Sequence, residues 1–156
     1  MVRELIFRGV TSGPGVETYG LYIVRADGTG LRAILPPTEE PEVPQEPALS
    51  PDGTRIIYTL RERDAYRGGQ LYVVDVDSGD KHVLVFHGSI ESDCYAEWSP
   101  DGSQIVFNRG TAQEKYYLAV GPVGGGTAVD IGPELPWDAA AATAFSPDGS
   151  KVIARY

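Results

Sequence analysis

The tetrapeptide Ser-Pro-Asp-Gly decides the fold of this chain of 156 residues, in which it occurs three times. The copies are Ser50–Gly53, Ser99–Gly102 and Ser146–Gly149, and they start 49 and 47 residues apart. Periods in this range are typical of solenoids and propellers. Proline fixes φ near −65°, Asp can bond the backbone ahead of it, and Gly accepts a positive φ. The motif therefore predicts a tight turn that joins two short strands.

Short apolar runs flank each copy of the motif in the same order. One run precedes the motif, a second follows it, and two more complete the unit on either side of another turn. In one unit they are Ala96–Trp98, Gln104–Phe107, Tyr116–Ala119 and Thr127–Ile131. The runs of all the units are rich in Val, Ile, Tyr and Phe, which favour strands. We name the four strands of a unit a, b, c and d.

The N-terminal stretch is a partial unit of strands b, c and d, and the C-terminal stretch supplies only strands a and b. The predicted bounds are 1–35 for the partial blade, 47–86 and 95–131 for two blades, and 142–156 for the last two strands. We therefore predict an all-β fold in a single domain, 1–156. It is a β-propeller segment of four-stranded antiparallel blades, with about three blades plus extra strands in a partial ring.

Composition restricts the classes of partner. The hydrophobic content of 42% and charged content of 22% are ordinary for a folded protein. A net charge of −9 disfavours nucleic acid or an anionic membrane as the main partner, because both require a cationic surface. A basic protein, a cationic peptide or a metal ion stays open, as does a role of the acidity in solubility alone. No segment has the roughly 20 apolar residues of a membrane span, and no signal peptide is predicted.

The candidate binding residues are predicted in the longer loops at one end of the blades, where function is usually found. These are the d–a loops 36–47, 87–94 and 132–141, together with the b–c loops. Acidic, basic and aromatic side chains lie together there, which suits protein or peptide recognition. The candidates are Arg61, Arg63, Arg67, Glu91, Asp93, Tyr95, Arg109 and Trp137. The alternative is an ordinary solvated loop surface, and 36–47 is predicted to be an extended, stiff connector.

The sequence offers little catalytic chemistry. No G-x-S-x-G occurs, so the nucleophile elbow of the α/β-hydrolases is absent. His82 and His87 lie five residues apart on or beside a strand, a spacing that sends their side chains to opposite faces. Asp75–Asp80 suits a hairpin turn better than a calcium loop. Cys94 is the single cysteine and is expected to be a small, inert, part-buried thiol. We therefore expect no catalytic activity, no cofactor and no metal.

The repeat resembles the Pro-Asp-Gly propeller repeat of the TolB-like family. Blades of that family read W-S-P-D-G-x-x-I-x-F, followed by L-Y-V-x-D-x-x-G-G. Trp98–Phe107 matches the first half, while Gln70–Asp80 and Leu21–Thr29 match the second. The resemblance covers nearly the whole chain and implies a propeller.

The resemblance implies more than one function. Such blades occur in a periplasmic protein-docking component of an envelope system and in the non-catalytic propellers of prolyl-oligopeptidase-like and tricorn-like peptidases. We therefore expect a non-catalytic scaffold for protein–protein or peptide interaction. The alternative is the propeller domain of a peptidase whose catalytic domain lies outside this chain. An extracytoplasmic location follows only if the resemblance extends to the compartment.

The predicted number of blades is small for a closed ring, which usually takes about four to eight. An open arc leaves strand edges and sheet faces exposed, and such edges favour association. The chain is thus expected to be a fragment of a longer propeller or a partial ring that is completed by homo-oligomerisation.

Overall fold

The computed structural model of the chain describes residues 4–13, 16–38, 41–63, 69–86, 92–110, 115–134 and 143–154. Over these residues the chain forms thirteen strands and no helix. None of the described segments is therefore a helix that could cross a bilayer. The strands are β1 (Glu4–Gly13), β2 (Val16–Arg25), β3 (Arg32–Thr38), β4 (Glu42–Leu49), β5 (Arg55–Glu62), β6 (Gln70–Asp75), β7 (Lys81–Val83), β8 (Ser92–Trp98), β9 (Gln104–Gly110), β10 (Tyr116–Pro122), β11 (Val129–Asp130), β12 (Thr143–Phe145) and β13 (Val152–Ala154).

The strands form four sheets in which every paired strand is antiparallel to its neighbour. Blade 1 has the order β1-β2-β3, blade 2 is β4-β5-β6-β7, blade 3 is β8-β9-β10-β11, and blade 4 is β12-β13. This is the predicted series of strands b to d, two full sets a to d, and strands a and b. The structure confirms the all-β partial propeller.

The Ser-Pro-Asp-Gly turns have the predicted geometry. In the first copy the Gly53 amide donates to the Ser50 carbonyl at 2.9 Å, and φ of Gly53 is 76°. The Asp52 Oδ1 accepts from the Ser50 hydroxyl at 2.6 Å and from the Thr54 amide at 3.0 Å. The Ser50 hydroxyl in turn accepts from the Arg55 amide at 2.9 Å. The turns at Ser99 and Ser146 repeat these bonds, so each motif fixes where strand a ends and strand b begins.

Adjacent blades pack through both faces of strand b. Ile56 and Tyr58 pack on blade 1, while Ile57, which lies between them, packs on blade 3. In blade 3, Phe107 packs on blade 2 and Val106 packs on blade 4. All five side chains are at most 1% exposed. Because burial of one such side chain contributes about 1.5–3 kcal/mol, this stacking dominates the stability of the fold.

A buried tryptophan adds a polar link between blades 2 and 3. The Trp98 indole Nε1 donates to the Ala48 carbonyl at 3.0 Å across the blade boundary. The Arg55 guanidinium lies over the same ring, 4.9 Å from its centroid. Trp98 therefore joins the inner strands of two blades as well as filling the core.

Strand a is longer than the sequence indicates. β4 begins at Glu42 and β8 at Ser92, before the bounds 47 and 95 drawn from the repeat. The prediction of a stiff connector over 36–47 is wrong, because most of it belongs to β3 and β4 and only 39–41 lies between them. Pro44 and Pro47 are compatible with β4 because it is the edge strand of its sheet, where a missing N–H breaks no ladder.

The turn carboxylates predict how stability depends on pH. The pKa values of Asp52, Asp101 and Asp148 are lowered from 3.8 to about 2, mainly by the serine hydroxyl and then by the backbone N–H two residues ahead. These carboxylates therefore stabilise the fold above pH 4. As the pH falls from 4 to 2 the unfolded chain takes up protons that the native chain does not, so this stabilisation is lost.

We expect the urea midpoint of the Asp52→Asn, Asp101→Asn, Asp148→Asn triple variant to vary less between pH 4 and 2 than that of the parent. The matched control carries Asn at the exposed turn residues Asp77 and Asp80. Its urea midpoint should change with pH as much as that of the parent. If the urea midpoint of the triple variant changed with pH as much as that of the parent, this account of the turns would be contradicted.

Candidate functional site

A polar cluster lies between blades 2 and 3 on their inner strands. Blade 2 contributes Glu46 from β4 and Thr59 and Arg61 from β5, and blade 3 contributes Cys94 and Tyr95 from β8. We call these five residues the interblade cluster.

Two members of the cluster have a left-handed backbone. Glu46 has a φ of 51° and Tyr95 a φ of 55°, a conformation that costs a non-glycine residue about 1 kcal/mol or more. Both lie at register shifts of strand a, between Gln45 and Ala48 in β4 and between Cys94 and Glu97 in β8. The two bulges are equivalent in the repeat. They leave an extra residue on strand a and turn the Glu46 and Tyr95 side chains out of the regular alternation.

An ion pair joins the blade 2 members of the cluster. The Arg61 Nη2 lies 3.3 Å from the Glu46 Oε1, and the Thr59 hydroxyl donates to the other carboxylate oxygen at 3.0 Å. The Arg61 and Glu46 side chains are only 12% and 22% exposed. The Arg61 Nε is buried and has no hydrogen-bond partner among the residues that the structure describes. Loss of either charge would therefore leave the other poorly solvated.

The blade 3 members of the cluster are neutral at physiological pH. Burial raises the pKa of Tyr95, the Glu46 charge raises it further, and Arg61 lowers it through its charge and a hydrogen bond. Burial also raises the pKa of Cys94 to about 12, and the nearby Glu46 carboxylate acts in the same direction. Because the thiolate is the reactive form, the Cys94 thiol is poorly suited to act as a nucleophile.

Three further predicted binding residues are not members of this cluster, although Asp93 immediately precedes Cys94 on β8. Asp93 and Arg109 are buried and directly opposite each other on β8 and β9, and the Arg109 Nη1 lies 3.1 Å from the Asp130 Oδ1. Arg63 lies with its guanidinium 5.3 Å from the centroid of the Tyr19 ring of blade 1. The structure thus distributes the predicted binding face over three places.

Three of the loop assignments are wrong, because Asp93, expected in the d–a loop 87–94, lies on β8. Arg61 and Arg109 were expected in b–c loops, but β5 and β9 continue through them to Glu62 and Gly110. The strands are extended there by pairing with the lengthened strand a of the same blade. The candidates Arg67, Glu91 and Trp137 lie outside the described residues.

Glu46 was not predicted as a strand residue, and Tyr19 was not predicted as a contact of Arg63. A signal for the first was present, since Glu46 and Tyr95 each lie four residues before the serine of a Ser-Pro-Asp-Gly motif. A repeat position that holds different polar residues in two blades is a candidate functional position. No comparable signal points to Tyr19, because its contact depends on how two blades meet.

The described residues contain no group of three His, Cys, Asp or Glu side chains that could hold a metal ion. The carboxylate of Asp75 accepts from the Asp77 and Ser78 amides at 3.0 and 2.8 Å, so it is used within the c–d turn. His82 lies on β7, and His87 is outside the described residues.

No protein-family model matches the chain, and neither does any curated protein. Solved structures are similar to it. TolB from Acinetobacter baumannii is 19% identical with a TM-score of 0.59 over 86% of this chain, and an oligogalacturonate lyase in complex with manganese is 17% identical with 0.61 over 88%. The β-propeller domain of the Trilobed protease from Pyrococcus furiosus, which has an open velcro topology, is 16% identical with 0.55 over 84%. The chain spans only 31%, 41% and 40% of these three chains. These likenesses show the fold, which is that of TolB-like and related propellers.

The interblade ion pair predicts a strong energetic coupling. In a double-mutant cycle with Arg61→Met and Glu46→Gln, measured by urea unfolding, we expect a coupling of about 1–3 kcal/mol because both side chains are largely buried. The exposed pair Lys115–Glu134, whose charged atoms lie 2.8 Å apart, gives a matched control cycle with an expected coupling below about 1 kcal/mol. Equal coupling in the two cycles would contradict a structural role for the interblade pair.

Proposed function

We propose that this chain is a non-catalytic β-propeller scaffold for protein or peptide recognition that completes its ring by self-association. The observation that supports this proposal is a difference in solvent exposure between equivalent positions of the repeat. Residues that are buried between blades inside the chain are exposed on the outer faces of blades 1 and 4.

The first exposed surface is the face of blade 1 that points away from blade 2. We call it the leading face, because the equivalent faces of blades 2 and 3 pack on the preceding blade. Phe7 is 41% exposed on this face, whereas Tyr58 and Phe107 at the same position of strand b are 1% and 0% exposed. Phe7 stacks on Tyr22 with ring centroids 5.7 Å apart, as Tyr58 does on Tyr72. The leading face thus already has the arrangement that receives a blade.

The second exposed surface is the face of blade 4 that points away from blade 3, here called the trailing face. Ile153 is 66% exposed on it, whereas Ile57 and Val106 at the same position of strand b are 0% exposed. Within the chain, trailing faces pack on leading faces at every blade boundary. Contact between the trailing face of one copy and the leading face of another would therefore repeat a contact type that the fold already uses.

The chemistry of the interblade cluster supports a scaffold rather than a catalyst. Its carboxylate is paired with Arg61 and Thr59, and its thiol has a pKa of about 12. Arginine and tyrosine side chains are frequent anchors of protein interfaces, and the cluster contains one of each. This composition favours recognition of a protein or peptide.

A second candidate is the propeller domain of a peptidase whose catalytic domain lies outside this chain. The similarity to the propeller domain of the Trilobed protease favours it. A G-x-S-x-G segment in an α/β region of the same reading frame would support this second candidate.

Self-association is tested by light scattering coupled to size-exclusion chromatography over a series of protein concentrations. We expect the parent to form oligomers, and we expect Phe7→Glu or Ile153→Glu alone to shift it towards smaller species, because each places a charge in an apolar contact. Val85→Glu is the matched control, since Val85 is as exposed as Ile153 at 66% but lies outside both faces.

Mixing the two variants provides a further check. The Phe7→Glu chain keeps its trailing face and the Ile153→Glu chain keeps its leading face, so the mixture should form a heterodimer through one intact contact. A parent that stays monomeric at every concentration and melts cooperatively would rule out the self-association.

A further inference from the structure

A cavity of about 560 Å³ lies between blades 1 and 2, apart from the interblade cluster. Cavities that bind small ligands have volumes of about 300–1,000 Å³ and mostly apolar walls. The aromatic and apolar part of its lining includes Tyr19, Leu35, Pro36, Pro44, Tyr58 and Leu60. The prolines and tyrosines give the cavity rigid walls, because their side chains have few rotatable bonds.

One wall of the cavity carries a buried hydroxyl without a partner. Tyr58 is 1% exposed, and its Oη makes no hydrogen bond to any described residue. Burial raises the pKa of Tyr58, so the hydroxyl is protonated and can donate. An unmade hydrogen bond at a buried hydroxyl is unfavourable, and a phenylalanine at this position would avoid that cost. A ligand atom in the cavity could provide the missing partner.

Two carboxylates lie side by side in the lining of the same cavity. Glu42 and Glu62 are directly opposite each other in the register of β4 and β5, and both line the cavity. No ion pair to a described cation involves either of them. Like charges at opposite positions of an antiparallel pair are unfavourable, so a cationic group placed between them would stabilise the site.

The opposite charge is found further along the same face of blade 2. Lys81 also lines the cavity, on β7, and it too makes no ion pair with a described residue. Arg8 and Arg63 are the other cations nearby, and both lie 5.3 Å from the centroid of the Tyr19 ring. Glu62 and Tyr58 are four residues apart on one strand, so their Cα atoms are roughly 13 Å apart.

We propose that this cavity binds a short peptide segment in an extended conformation. A basic group of the peptide meets Glu42 and Glu62, a peptide carbonyl accepts from the Tyr58 hydroxyl, and a carboxylate lies towards Lys81. A distance of roughly 13 Å corresponds to about four extended residues. The assignment rests on the proposed role in peptide recognition and places it at a defined site.

The probe is the unblocked tetrapeptide Lys-Ala-Ala-Leu, titrated into the full chain by calorimetry. We expect saturable binding that weakens about tenfold or more in the Glu42→Gln, Glu62→Gln double variant, because two charge-assisted contacts are lost. Asp77→Asn with Asp80→Asn removes the same number of charges from an exposed turn and should leave the affinity unchanged. The peptide acetyl-Ala-Ala-Ala-Leu, which has no cation, should bind more weakly than the lysine peptide to the parent and equally to the parent and the double variant.

The Tyr58→Phe variant distinguishes a ligand-binding role of the Tyr58 hydroxyl from a structural role. Because the hydroxyl has no partner among the described residues, we expect the variant to unfold at the same or a higher urea concentration than the parent. Its affinity for the tetrapeptide should nevertheless fall about three- to tenfold. A loss of stability with unchanged affinity would overturn the role given to this hydroxyl.

The outcomes distinguish this site from the scaffold proposal. Peptide binding that is unaffected by the Glu42, Glu62 and Tyr58 variants would overturn the site and leave peptide recognition elsewhere on the scaffold. Absence of saturable binding by the parent would also overturn the site, while the oligomer measurements would still decide ring completion independently. Should the double variant fail to fold, Tyr58→Phe and the acetylated peptide decide the matter.

Discussion

The fold depends on the burial of strand b from both sides. A strand in a two-layer sandwich buries every second residue, but in blade 2 the consecutive residues Ile56, Ile57 and Tyr58 are all buried because their sheet lies between two others. The Ser-Pro-Asp-Gly turn fixes the register that makes this possible, since a shift of one residue would exchange the two faces. A sheet at the end of such a stack has one apolar face that no other described blade covers.

The same stacking explains why polar groups are found buried between blades. In blades 2 and 3 strand a lies at the inner edge of the sheet, where the two blades approach each other, and its bulges direct Glu46 and Tyr95 towards that boundary. The left-handed backbone at both positions is a local cost that the surrounding sheet must offset. The Glu46–Arg61 pair forms part of that compensation, because it links β4 to β5 at the irregularity.

The cavity between blades 1 and 2 arises from the same geometry. Towards the b–c end of the blades, proline side chains of β3 and β4 replace the branched aliphatic residues that fill the space between the sheets elsewhere. Tyr58 lies between the packed part and the open part, so its ring contributes to the core while its hydroxyl has no partner in the described part of the chain. Core packing and the proposed ligand contact thus share one side chain.

The sequence by itself determined the number, order and pairing of the strands, because turn chemistry and the apolar runs repeat at intervals of 49 and 47 residues. It also indicated which side chains stack between blades, since the strand period of two assigns them to a face. It did not determine the length of strand a, because prolines argue against a strand unless the strand lies at an edge, and edge position is a property of the whole sheet.

Only the tertiary structure showed that Glu46 contacts Arg61, 15 residues later, and lies near Tyr95 of the next blade. Contacts of this kind depend on bulges and on the angle between blades, neither of which is encoded in a local pattern. The same holds for the cavity between blades 1 and 2, whose walls come from segments far apart in the chain.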